Sequence, residues 1–148
     1  NVVSSADGTK LAAFNSGHTS PNGTVSQAIN TVAGQTYTLQ FDAGVLSFNS
    51  NPQTMGLTVN GNSALLNRTI TINGNGAGNC RWLAQSFTFI ADSALSTITF
   101  RDLSPTTEAI DLLLDKVRVS AVSAIASFGV LRCLLVRCSP FRCLPRWP

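Results

Sequence analysis

A chain of 148 residues is long enough for one domain with a real core, since about 150 residues bury roughly 70% of the surface that the unfolded chain exposes. The net charge of +3 does not describe a nucleic-acid-binding domain, because residues 1–120 carry six Lys or Arg against seven Asp or Glu and four arginines in 121–148 supply the whole excess. Only 11% of residues are charged, and abundant Gly, Asn, Ser and Thr suit short strands, tight turns and the hydroxyl- and amide-wetted surfaces common outside the cell.

Taken in chain order, the sequence opens on Asn-Val-Val-Ser-Ser-Ala-Asp-Gly, without an initiator Met or a charged-then-apolar leader. The expectation is a removed signal peptide or, preferred, a fragment from which an earlier strand has been cut. Extended segments are expected at 10–14 and 24–31. The clearest follows at 35–45, where GQTYTLQFD puts Tyr37, Leu39 and Phe41 on one side and Thr36, Thr38, Gln40 and Asp42 on the other. A period of two sorts residues this way only in a half-buried strand. Further segments are read at 53–60, 64–72, 81–90, 96–102 and 110–120.

Turn chemistry supports the breaks. Asp7-Gly8, Asn22-Gly23, Ala33-Gly34, Asn60-Gly61-Asn62 and Asn73-Gly74 fall where a positive φ is expected, and Asn60-Gly61-Asn62 is expected to close a hairpin. No helix start with sustained periodicity precedes residue 120. Eight evenly spaced strands predict an all-β antiparallel sandwich, a jelly roll, over residues 1–120.

Residues 121–148 break the pattern, with three cysteines, Cys133, Cys138 and Cys143, and recurring arginines. This Arg/Cys-rich tail is not expected to belong to the fold. It reads as sequence foreign to the domain such as a shifted frame, as an export or surface-sorting tail, or as a short amphipathic membrane-surface helix. Its apolar stretch 121–131 is about half the roughly 20 residues of a membrane span. With Cys80 the chain has four cysteines, enough for two disulfides in an oxidising compartment, in a spacing that matches no zinc pattern.

The ordered segments carry a resemblance. Asp7-Gly8, Ala28-Ile29, the Gly34 to Phe41 run, Gln85-Ser86-Phe87-Thr88-Phe89 with Ala91-Asp92-Ser93, and Ile110-Asp111-Leu112-Leu113-Leu114-Asp115-Lys116-Val117-Arg118-Val119 resemble galactose-binding-like jelly-roll modules. Closest are exported bacterial choice-of-anchor modules and plant cell-wall domains of unknown function, and several carbohydrate-binding modules share the shape. The likeness covers about residues 6–120 and departs at two points. The family's extra first strand, with its Asn-Gly and acidic residue, is absent, and Lys116 stands where Asn or Asp usually follows the closing Asp. The resemblance implies that Asp115 contributes an oxygen to a structural calcium ion, with Asp7 as a further contributor. The alternative is that Asp115 caps a neighbouring loop through backbone N–H groups.

Hydrolytic chemistry is poorly supplied. His18 is the only histidine and lies in a Gly/Ser/Thr/Pro-rich loop without a nearby acid to orient it. Asp42, Asp102, Glu108, Asp111 and Asp115 form the pool for a glycosidic acid–base pair, and most fall at strand ends or turns, where solvated carboxylates are the default.

Sugar binding needs an aromatic surface and convergent amides or carboxylates. Phe48 stands in the polar loop Ser47-Phe48-Asn49-Ser50-Asn51, with Asn49 and Asn51 beside it, and either meets ligand or plugs the end of the barrel. Trp82 either stands at a rim or fills the core. Arg81 and Arg101 are donors to a uronic acid or solvated strand faces. Asn22-Gly23-Thr24 and Asn67-Arg68-Thr69 are glycosylation acceptors only in a eukaryotic host.

The functional expectation is a secreted or cell-surface, non-catalytic module that binds carbohydrate or cell-wall polysaccharide as part of a larger protein. A structural or adhesive spacer without a sugar site is the alternative, and an enzyme a distant third. Calcium is the one cofactor expected, with no nucleic-acid partner and no membrane span.

Overall fold

The computed structural model describes residues 5–14 and 21–123, and each extended segment read from the sequence forms a strand in it. The strands are β1 Ala12–Ala13, β2 Thr24–Asn30, β3 Thr36–Ser47, β4 Pro52–Asn60, β5 Ala64–Asn73, β6 Asn79–Ile90, β7 Leu95–Asp102 and β8 Ile110–Ala121. A front sheet has the order β1-β8-β3-β6 and a back sheet the order β2-β7-β4-β5, with the ladders antiparallel throughout. That order is a jelly roll.

Alternation along β3 builds the core. Tyr37, Leu39, Phe41, Ala43 and Val45 are buried and meet Met55, Leu57 and Val59 of β4 from the opposite sheet. Phe41 packs edge-on against Phe100 of β7 at 5.0 Å between ring centroids, and Tyr37 stacks on Phe89 at 5.5 Å. Each such side chain contributes about 1.5–3 kcal/mol through burial. The polar end of Tyr37 is satisfied, since its hydroxyl accepts the Val32 N–H at 2.9 Å.

The ends differ from the sequence reading. The segment expected at 10–14 forms a strand only at Ala12 and Ala13, opposite Leu114 and Leu113 of β8, and the Phe14 N–H continues it onto the Leu112 carbonyl at 2.9 Å. Residues 5–8 instead turn toward Asp115, and the turn is closed by Ser5 Oγ on the Gly8 carbonyl at 2.6 Å. Asn60-Gly61-Asn62 closes the β4–β5 hairpin as expected. Gly61 and Gly74 serve there by their lack of a side chain rather than by positive φ. A Cβ on Gly61 would collide with Asp92 Oδ1, and one on Gly74 with the Asn49 carbonyl. His18 and the tail cysteines lie outside the described residues. Among the described residues, no helix is long and apolar enough to cross a membrane.

Candidate functional site

The outer surface of the front sheet carries the most developed site. Even-numbered residues of β3 face outward, so Gln40, Asp42, Gly44 and Leu46 line its centre. Opposite Gly44 stand Trp82 of β6 and Leu113 of β8. Because Gly44 has no side chain, the six-membered ring of the Trp82 indole settles against its Cα. A Cβ built there would meet Trp82 Cε3, with Cζ3 at 2.7 Å and the Arg81 carbonyl at 2.9 Å. Trp82 is therefore neither a core residue nor a rim residue. It is a part-exposed aromatic lying on the sheet's outer face.

Two hollows flank this aromatic along β3. Toward Leu46, a cleft of about 510 Å³ is lined by Ser5, Thr9, Lys10, Leu11, Asp111 and Leu113 among others. Toward Asp42, a smaller one of about 230 Å³ is lined by Gln40, Asp42, Ala84, Lys116 and Arg118 among others. In the smaller hollow Lys116 Nζ bridges to Asp42 Oδ2 at 3.2 Å, and Arg118 Nη2 donates to Asp7 Oδ2 at 2.7 Å. The first cleft has an apolar floor, Leu46 and Leu113, with a cation and a carboxylate on its walls. Such a surface offers an apolar ring contact together with hydroxyl-binding groups.

Phe48 follows β3 on a bend. Its N–H bonds to the Ala109 carbonyl at 2.9 Å, one step beyond the Ser47–Ile110 pair where the β3–β8 ladder ends. Phe48 is 59% exposed and does not plug the end of the sandwich. The loop holding it is rigidly mounted. Gly74 N–H bonds to the Asn51 carbonyl and Gly76 N–H to the Asn49 carbonyl, at 3.0 and 3.1 Å.

Asn49 is part of that mount. Its Nδ2 donates to the Glu108 carbonyl at 2.7 Å and its Oδ1 accepts the Asn51 N–H at 3.0 Å, so its amide is committed to the loop. Asn51 is exposed. Arg81 is opposite Val45 on the other side of the sheet from Trp82, and its Nη1 reaches the Asn73 carbonyl at 3.4 Å. The structure thus puts Trp82 and Arg81 on opposite faces of the front sheet. Arg101 is bound to Asn22 Oδ1 through both Nε and Nη2.

Asp115 is a loop clamp. Its Oδ2 accepts the N–H of Ala6 at 2.7 Å and of Asp7 at 2.9 Å, and its Oδ1 accepts the Lys116 N–H at 2.7 Å. Desolvation pushes its carboxyl up, but the N–H donors of Asp7, Lys116 and Ala6 and the Lys116 charge outweigh it, so the group sits below the usual aspartate value. A calcium ion takes about six to eight oxygen ligands, whereas among the described residues the groups bonded to Asp115 are N–H donors. As arranged, they do not fit the ion. No cluster of three or more His, Cys, Asp or Glu with metal-holding geometry occurs among the described residues.

No protein-family model and no curated protein matches the sequence. Solved structures do. The chain is similar to the C-terminal domain of EclA, a sugar-binding protein, at 10% identity over 81% of this chain and 84% of that one, with a TM-score of 0.59. It is also similar to a family 35 carbohydrate-binding module from Paenibacillus barcinonensis, at 20% identity over 82% and 88% with a TM-score of 0.49. A family 4 carbohydrate-binding module is 24% identical over 67% of this chain with a TM-score of 0.46, and the chain spans 61% of its length. These are likenesses of fold. The likeness at a TM-score of 0.59 and the strand order define the class, an all-β jelly-roll sandwich of two four-stranded antiparallel sheets.

Proposed function

We propose that the chain is a non-catalytic module that binds glycan or cell-wall polysaccharide along the outer face of its front sheet, as one part of an exported, cell-surface protein. The observation that carries this reading is the placement of Trp82 on Gly44, an aromatic on the sheet's outer surface between two polar-walled hollows. Phe48, exposed on a braced loop just after β3, offers a second aromatic for ligand contact. The likeness to a domain described as sugar-binding supports the ligand class. Fold alone does not confer it.

A non-catalytic role is supported by how the carboxylates are used. Asp42 and Asp7 are in ion pairs, Asp92 and Asp115 hold loops, and Asp102 is buried.

The spacer reading rests on the same tryptophan, because an indole covering Gly44 also serves the fold. A glycan array and polysaccharide pull-down on the whole chain, repeated with Trp82→Ala and Phe48→Ala, separates the two. Glycan binding requires at least one substitution to weaken retention by about tenfold, or about 1.4 kcal/mol, with the fold intact. No retention on any plant or bacterial polysaccharide would remove the proposal.

A further inference from the structure

Strand β8 changes the side it shows partway along. From Ile110 to Asp115 it pairs with Ser47 back to Asp42, and from Arg118 to Ala121 with Gln40 back to Tyr37, so residues 116 and 117 together stand opposite Phe41 alone. That is a β-bulge, and Lys116 is its left-handed residue, at φ of 56°. Before the bulge the even-numbered Leu112 and Leu114 face the core, whereas after it the odd-numbered Val119 stands opposite the buried Leu39. Uninterrupted alternation would turn Lys116 and Arg118 inward. The extra residue keeps both cations on the outer surface, where Lys116 meets Asp42 and the two cations line one hollow.

That hollow lies one step along the sheet from the indole. Trp82 stands opposite Gly44 and Ala84 opposite Asp42, a displacement of two residues or about 7 Å along the strand. A sugar ring on Trp82 therefore sets the next residue of its chain over Ala84, whose methyl leaves the space open. The charges around it balance, because Lys116 is bridged to Asp42 and Arg118 to Asp7. All seven Asp and Glu of the chain lie among the described residues, so the carboxylates near the hollow are fully accounted for. Hydrogen-bonding capacity is left over. The Asp42 side chain is 14% exposed and meets Lys116 through Oδ2, while among the described residues its Oδ1 and the exposed Gln40 amide accept or donate no hydrogen bond.

We infer that this hollow is a subsite for an uncharged sugar residue and that Asp42 is its specificity-determining residue. The inference rests on the glycan reading of the front sheet and adds the class of ligand. Asp42 Oδ1 accepts one sugar hydroxyl, and Gln40 with the Arg118 N–H groups not spent on Asp7 bonds its neighbour, so a neutral ring satisfies donors and acceptors together. A uronic acid carboxylate in the same place meets Asp42 at like charge and finds Lys116 and Arg118 each already holding a carboxylate. Repulsion and an unpaired acceptor both act against it.

The test uses the whole chain, a panel of neutral hexose polysaccharides, and the same polysaccharides after selective oxidation of their primary hydroxyls to carboxylates. The oxidised form of any retained glycan is expected to bind about tenfold or more weakly than its parent. Asp42→Asn keeps the shape and removes the charge, and should narrow that gap to about threefold or less. Binding of the oxidised form to this variant should weaken as salt is added, while binding of the parent should not. Ala84→Lys, at an exposed position, brings a further cation to the hollow and should narrow the gap in the same way, which keeps the inference open to test if Asp42→Asn loses its fold in a denaturation control. Equal retention of parent and oxidised glycan by the unaltered protein overturns the inference and leaves the glycan reading in place. So does a gap that neither folded variant narrows. Failure to retain any glycan in either form removes the glycan reading itself, and the inference with it.

Discussion

Trp82 of β6 and Gly44 of β3 are cross-strand partners, and the indole occupies the space that a side chain on Gly44 would take. The pair couples packing to the binding surface. Gly44→Ala places a methyl against the ring and close to the Arg81 carbonyl, so the indole must lift from the sheet. Overpacking of this kind costs about 1–3 kcal/mol. Chemical denaturation should show that loss, and glycan affinity should fall with it. Trp82→Ala should cut affinity at least as far. If Gly44→Ala leaves both stability and retention unchanged, the indole is not seated as described.

Asp115 joins β8 to residues 109 positions away, through the Ala6 N–H. Replacing it with Ala frees residues 5–8 from the sheet and should cost about 1 kcal/mol, the low end for charge-assisted bonds because the site is partly solvated. Asp115→Asn keeps one acceptor and should recover part of the loss. Because N–H donors surround the carboxylate, chelator should leave the thermal midpoint in place. A fall of several degrees on chelation, reversed by calcium, would assign the ion its place after all.

Acid should act on two clamps together. Asp92 is held below the usual aspartate value first by the Ser63 hydroxyl and then, against the upward push of desolvation, by the N–H groups of Asn62 and Ser63. Asp115 is lowered as well. A carboxyl depressed in the folded state stabilises it fully above the unfolded value of about 3.9 and loses that contribution as pH falls through the lower folded value. Stability should therefore hold from neutrality to about pH 4 and decline below it. The Asp92→Asn, Asp115→Asn double variant should show a shallower decline between pH 4 and 2 in a titration of the denaturation midpoint. An identical acid slope in the two proteins would refute the assignment.

How much of this is legible in the sequence follows from the range of each interaction. The alternation of Tyr37, Leu39 and Phe41 is local, and it gives both β3 and its buried side. The eight-strand jelly roll follows from such runs and the turns between them. The position of Trp82 is not local. Its neighbourhood in sequence permits core or surface, and the choice depends on a register that pairs it with Gly44. A glycine inside an otherwise apolar strand signals close approach of another group, and Gly44 is the signal that would have found the site. Asp115 was legible as a functional carboxylate, but its partners, Ala6 and Asp7, belong to the far end of the chain. The outward Asp42–Lys116 pair depends on a ladder irregularity between Gln40 and Asp42 that no local pattern encodes.

That irregularity yields the last prediction. Lys116 has φ of 56°, the left-handed region that costs an ordinary residue about 1–2 kcal/mol and that Asn and Asp adopt more readily. The resembled modules usually place Asn or Asp at this position, and the backbone supplies the reason. Lys116→Asn should relieve the strain while removing the exposed pair with Asp42, which is worth less than about 1 kcal/mol. The relief should win, by about 0.5–1 kcal/mol of net stabilisation. Lys116→Ala loses the same ion pair without relieving the backbone and should be destabilising, so the two variants should move the denaturation midpoint in opposite directions. If both lower it equally, the ion pair and not the backbone governs this position.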